Sequence, residues 1–103
     1  MAVQDKVKYG LMVRLVAKEG QEKALEDFLR SGLELVQAEP GTLQWYAVRF
    51  DRRSFAIFDT FASEDGRQAH LAGRVAAALM ANAATLLAEP PSIERHDVLA
   101  AKV

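Results

Sequence analysis

The sequence predicts a single α+β domain in which a four-stranded antiparallel sheet carries its helices on one face, in the order βαββαβ. Three observations carry that expectation. Four short runs are rich in branched and aromatic residues, two longer stretches between them have helical apolar spacing, and 103 residues leave room for one core and no second domain.

The first run, Lys8 to Ala17, alternates Leu11, Val13 and Leu15 on one face with Met12, Arg14 and Val16 on the other, as a strand does. Lys18, Glu19 and Gly20 break it, and Gln21, Glu22 and Lys23 open a helix whose Leu25, Phe28, Leu29 and Val36 recur on one side. That helix is expected to reach Glu39, where Pro40 and Gly41 stop it. Leu43 to Phe50 and Phe55 to Phe61 read as a hairpin joined by the polar cluster Asp51, Arg52, Arg53 and Ser54, a solvated turn with no assigned role.

Ser63 is a plausible N-cap, with Glu64 and Asp65 at the positive end of the dipole, so a short helix should run to about Ala72 and bend at Gly73. Val75, Leu79, Met80, Ala83, Leu86 and Leu87 then mark one side of a second helical segment, ended by Glu89, Pro90 and Pro91. Ile93 to Ala101 is expected to form the last strand, and residues 1–7 a flexible extension. The arrangement is ferredoxin-like, with a split second helix.

Thirteen basic residues against fourteen acidic ones, mixed along the chain, give a formal net charge of -1. That balance offers no footprint for a phosphate backbone or an anionic membrane surface, so neither nucleic acid nor membrane is an expected partner. There is no cysteine, which removes disulfides, thiolate metal sites and cysteine nucleophiles. The polar start from Met1 to Lys8 lacks a signal-peptide apolar run, and the Ala-rich stretch Val75 to Ala88 is too short to span a bilayer, so a cytoplasmic address is expected. Two histidines far apart in sequence give little basis for a metal site.

The hairpin carries apolar residues on both faces. Leu43, Trp45 and Ala47 oppose Tyr46, Val48 and Phe50, and Phe55, Ile57 and Phe61 oppose Ala56 and Phe58. A sheet with helices on one side and water on the other should alternate cleanly. The helices suffice for one face only, so a second copy of the chain is the expected cover for the other.

The string from Glu39 to Gly73, with VRLVAKEGQEKALEDFL before it and LLAEPPSIERHDV after it, carries an ordered set of marks. These are Gly20 at the first helix, the turn Glu39, Pro40, Gly41, the acidic and aromatic pair Asp59 and Phe61, and the step Ala69, His70, Leu71. In these marks the chain resembles the antibiotic biosynthesis monooxygenase family along nearly its whole length. The resemblance implies a homodimeric α+β barrel with a ligand pocket between each sheet and its own helices. It also implies either a small oxygenase using neither metal nor flavin on phenolic or quinol-like substrates, or a member without known activity. Asp59 stands where a glutamate is usual and Phe61 where a tryptophan is usual. In the related haem-degrading branch an asparagine and a haem-ligating histidine occupy the places of Val13 and Met80, so haem degradation is not implied.

His70 has the pKa range of a base near neutrality, or it is a histidine packed at a helix surface. Asp59 interrupts an apolar strand and needs a partner, either His70 or one of Arg14 and Arg49. Trp45 and Tyr46 are adjacent on a strand and must point to opposite faces. Trp45 shares its face with Arg49, suggesting an apolar wall with a donor at its end, though core packing serves Trp45 equally. Phe58 and Phe61 are further candidate walls, and His96, among charged neighbours, is expected to be exposed.

The functional expectation is a monooxygenase that needs no cofactor, with His70 as base and Asp59 as its orienter, acting on a small phenolic or quinol-like substrate. The alternative is a non-catalytic dimer of the same fold that binds a small ligand or serves as a structural module.

Overall fold

The computed structural model describes residues 6–103. Seven elements follow one another: β1 (Tyr9–Val16), α1 (Glu22–Gln37), β2 (Thr42–Arg49), β3 (Ser54–Phe61), α2 (Glu64–Leu71), α3 (Arg74–Leu86) and β4 (Ser92–Asp97). The strands form one antiparallel sheet in the order β2-β3-β1-β4, the ferredoxin-like α+β arrangement read from the sequence.

Strand register decides which side chains meet the helices. Leu11 pairs with Asp59 and Val13 with Ile57 across β1 and β3, and Trp45 pairs with Asp59 and Ala47 with Ile57 across β2 and β3. Because alternate residues share a face, Leu11, Val13, Leu15, Phe55, Ile57, Asp59 and Phe61 all point toward the helices, and each is buried. Leu25, Leu29, Gly32 and Val36 form the buried stripe of α1 against them.

Arg67 ties α2 to this sheet. It is buried, donates to the carbonyl oxygens of Gly10 and His96 at 3.2 Å each, pairs with Glu64 and stands over the Tyr9 ring. Ser63 caps the same helix by accepting from the Gly66 amide at 3.1 Å. The third helix leans on α1 and α2 and sends Leu79 and Leu86 into the core shared with the sheet.

Four expectations are revised in detail. The first helix ends at Gln37, with Ala38 as its cap, which leaves Glu39 outside the helix. Met80 is 60% exposed, whereas Val75, Leu79 and Leu86 are the buried residues of α3. The last strand stops at Asp97, where its partner β1 begins at Tyr9; one further bond, Val98 N to Lys8 O, follows the ladder. Residues 1–5 of the expected N-terminal extension lie outside the described residues, and Val7 is buried in the domain.

The opposite sheet face carries Tyr46, Val48 and Phe50, which are 51%, 41% and 62% exposed. Phe58 lies among them, stacked between Tyr46 and His96. His96 is therefore partly covered, lying across Gly10, where any Cβ would meet its Nε2 at 2.2 Å. Among the described residues no helix is long and apolar enough to cross a membrane.

Candidate functional site

The candidate site starts from a defect in strand pairing. Between Thr42 and Gln44 the register of β2 on β3 shifts, a bulge that gives β2 one extra residue at Leu43. In an unbroken strand Thr42 would share the parity of Gln44 and face away from the helices. The bulge turns it inward, opposite Phe61, where its hydroxyl donates to Glu39 Oε1 at 2.8 Å.

Glu39 belongs to the turn that follows α1, and that turn packs directly on the first turn of α2. A Cβ placed on Gly41 would lie 3.0 Å from the Gly66 Cα, and one on Gly66 would lie 2.9 Å from the Gly41 carbonyl oxygen. Two side-chain-free backbones thus touch, and Glu39 reaches a residue 31 positions later: His70 Nδ1 donates to its Oε1 at 2.6 Å. Gly66→Ala is expected to destabilise the protein and weaken this bond. The roughly 1 kcal/mol that alanine offers a helix interior is outweighed by a clash with backbone that cannot rotate away. Chemical denaturation of the variant checks this, and an unchanged midpoint would contradict it.

On its other side His70 meets Asp59. Nε2 and Oδ2 are 2.8 Å apart, yet neither Asp59 oxygen has an aligned hydrogen bond, and the carboxylate is fully buried. The two contacts of the imidazole are therefore unequal: Glu39 holds Nδ1 in line, while Asp59 crowds Nε2. Arg14 pairs instead with Glu94, and Arg49 with Glu26, so His70 is the partner that Asp59 finds.

Burial is the largest single influence on the His70 pKa and draws it down, but the close polar contacts and charge of Asp59 and Glu39 together outweigh it, and the net shift is upward from 6.5. A raised folded-state value means that His70 contributes stability below about pH 6.5, and that this contribution is lost as pH rises through the folded value. Stability of the parent is thus expected to fall with rising pH across that window, and His70→Gln to remove this part of the slope. Denaturant melts at several pH values check it; identical slopes would contradict it.

His70 also borders a cavity of about 90 Å³ between the sheet and the helices. Its walls come from β1 (Leu11, Val13), β2 (Trp45), α1 (Phe28, Gly32) and α3 (Val75, Leu79), and they are apolar apart from the imidazole. Trp45 Nε1 is buried without an acceptor.

The predicted site residues therefore separate. His70, Asp59 and Trp45 come together, and the Phe61 ring lies 5.4 Å from that of His70. Phe58 does not join them, because pleat parity places it on the opposite sheet face. Arg49 does not either: it shares the Trp45 face, but Glu26 on α1 holds it at 2.9 Å, away from His70. Glu39 and Thr42 were missed as site residues, the first because it reads as part of a helix stop and the second because a bulge leaves no clear signal in the letters. Among the described residues no group of three His, Asp or Glu side chains is arranged to hold a metal ion.

Residues 9–82 match the family model described as antibiotic biosynthesis monooxygenase. The chain belongs to the antibiotic biosynthesis monooxygenase family. A solved structure of the NE2512 protein of unknown function from Nitrosomonas europaea is similar at 59% identity, with a TM-score of 0.93 and 95% of each chain covered. More distant are PA3566 from Pseudomonas aeruginosa (22% identity, TM-score 0.77, 90% and 95% covered) and Rv0793 from Mycobacterium tuberculosis (17%, 0.80, 89% and 95%). At those identities the likeness is one of fold alone. No curated protein matches. Within this antibiotic biosynthesis monooxygenase domain the carboxylate-clamped imidazole lies inside the matched span, as does every cavity wall except Ile93.

Proposed function

We propose that the protein is a monooxygenase that needs no cofactor and acts on a small phenolic or quinol-like substrate held between the sheet and the helices. The observation that carries this reading is a buried imidazole, fixed by a carboxylate on one side, at the edge of an apolar cavity. A quinol and O2 can give a hydroxyquinone and water, so the substrate supplies every electron and the protein need only promote ionisation and exclude water.

In this reading Glu39 orients His70 through Nδ1, a task that the sequence had suggested for Asp59. Nε2 is the reacting nitrogen: its contact with Asp59 is poorly aligned, so a ligand hydroxyl can displace the carboxylate and pass its proton there. Trp45 lines the cavity and offers the bound ring an apolar wall. The raised pKa of His70 makes it a stronger acceptor once neutral, at pH values above that pKa.

The same reading includes a homodimer, in a cytoplasmic setting, with the apolar outer sheet faces of two copies covering each other. One observation favours the alternative of a non-catalytic ligand-binding dimer: both imidazole nitrogens already face carboxylates. Oxygen consumption with a panel of quinols separates the two. Saturable uptake with at least one member is the expected result, and none above the protein-free rate across the panel would discard the oxygenase.

A further inference from the structure

We infer that the cavity admits an uncharged, single-ring ligand, polar end first, through a doorway between α3 and β4 whose lips are Met80 and Ile93. The inference deepens the proposed ligand site and rests on that reading of the cavity, but not on turnover.

Among the residues that line the cavity, Met80 and Ile93 stand out by exposure: 60% and 47%, whereas Leu11, Val13, Leu29, Ile57, His70, Val75 and Leu79 are all buried. They come from α3 and β4, elements that do not pack on each other. An apolar side chain that is both wall and surface marks a mouth.

The polar side chain of the lining is His70, which is 7% exposed and so is buried, unlike the two lips. Gly32 sets the depth, because a Cβ there would come within 3.2 Å of Val75 and 3.5 Å of the Trp45 ring.

Size and charge narrow the occupant. An engineered apolar cavity of about 150 Å³ takes one benzene; at about 90 Å³ this one has room for no more than a single ring, with any substituent left in the doorway. No Lys or Arg side chain is among the residues lining it. Asp59 and Glu39 flank the imidazole, so an anionic ligand would be buried beside two acidic side chains with no cation of its own.

Trp45 is the sole tryptophan, so one indole cross-peak in a nitrogen-15 spectrum reports entry. Phenol, benzoate and 2-naphthol are titrated into the parent and into Met80→Ala combined with Ile93→Ala. Phenol is expected to move the peak saturably, benzoate to bind about a hundredfold more weakly, and 2-naphthol about tenfold more weakly than phenol in the parent, a deficit the trimmed lips restore. A silent indole with phenol, equal binding of benzoate, or a 2-naphthol affinity that matches phenol in the parent or stays low after trimming would each overturn the inference. Oxygen uptake, measured separately, distinguishes the two readings: binding without uptake removes the oxygenase alone, and uptake with an unmoved indole removes the doorway alone.

Discussion

Replacing His70 with alanine is expected to lower oxygen uptake on a reactive quinol by about 10²- to 10⁴-fold, the usual contribution of a positioned acid or base. The loss should fall on kcat rather than KM, because the apolar walls that hold the ring are untouched. Glu39→Gln should cost less and shift the pH profile toward acid, since the imidazole keeps a neutral hydrogen-bond acceptor but loses one of two charges that raise its pKa. The alanine variant also leaves the Asp59 and Glu39 carboxylates facing an empty space, so rates are compared on protein shown by circular dichroism to be folded. Equal rates for parent and His70→Ala would end the assignment of His70 as base.

The second large effect concerns assembly. Tyr46, Val48 and Phe50 remain exposed beside the stacked rings of Phe58 and His96, on a face that also carries the Arg14–Glu94 and Thr60–Gln44 pairs. Covering such side chains is worth about 1.5 to 3 kcal/mol each, so two copies face to face gain considerably. Phe58→Glu would place a carboxylate at the centre of that contact. The expected outcome is a parent with the mass of two chains at micromolar concentration and a Phe58→Glu variant dissociating more than about a hundredfold more readily. Light scattering coupled to size exclusion reads both, and a monomeric parent at that concentration would defeat the homodimer.

The fold was largely legible because each element announces itself by period. Leu11, Val13 and Leu15 alternate, Leu25, Phe28, Leu29 and Val36 recur at helical spacing, and Ser63 caps where a cap is expected. What failed to show depends on partners distant in sequence. Met80 fits the apolar stripe of α3 by spacing, yet its neighbour Leu79 takes the buried position and Met80 is left exposed. β4 is limited by the length of β1, which no local signal in residues 98–101 records.

The candidate site was half legible for the same reason. His70 and Asp59 drew attention because a titratable group on an apolar element needs a partner, and they do meet. The partner of Nδ1 could not be read from spacing. Glu39 reaches it only because Gly41 and Gly66 let two backbones touch and a bulge turns Thr42 inward. Phe58 was misplaced for a simpler reason: it was treated as a wall by residue type, although it neighbours Asp59 on one strand and so must face the other way.

The central physical claim is that two carboxylates hold one buried imidazole in its charged form beyond the usual range. Titration of the His70 ring by nuclear magnetic resonance tests it directly, with the His96 signals assigned through a His96→Gln variant. The account predicts a His70 pKa above 6.5 that drops when Glu39 becomes glutamine. A value at or below 6.5, or one indifferent to Glu39→Gln, would contradict it.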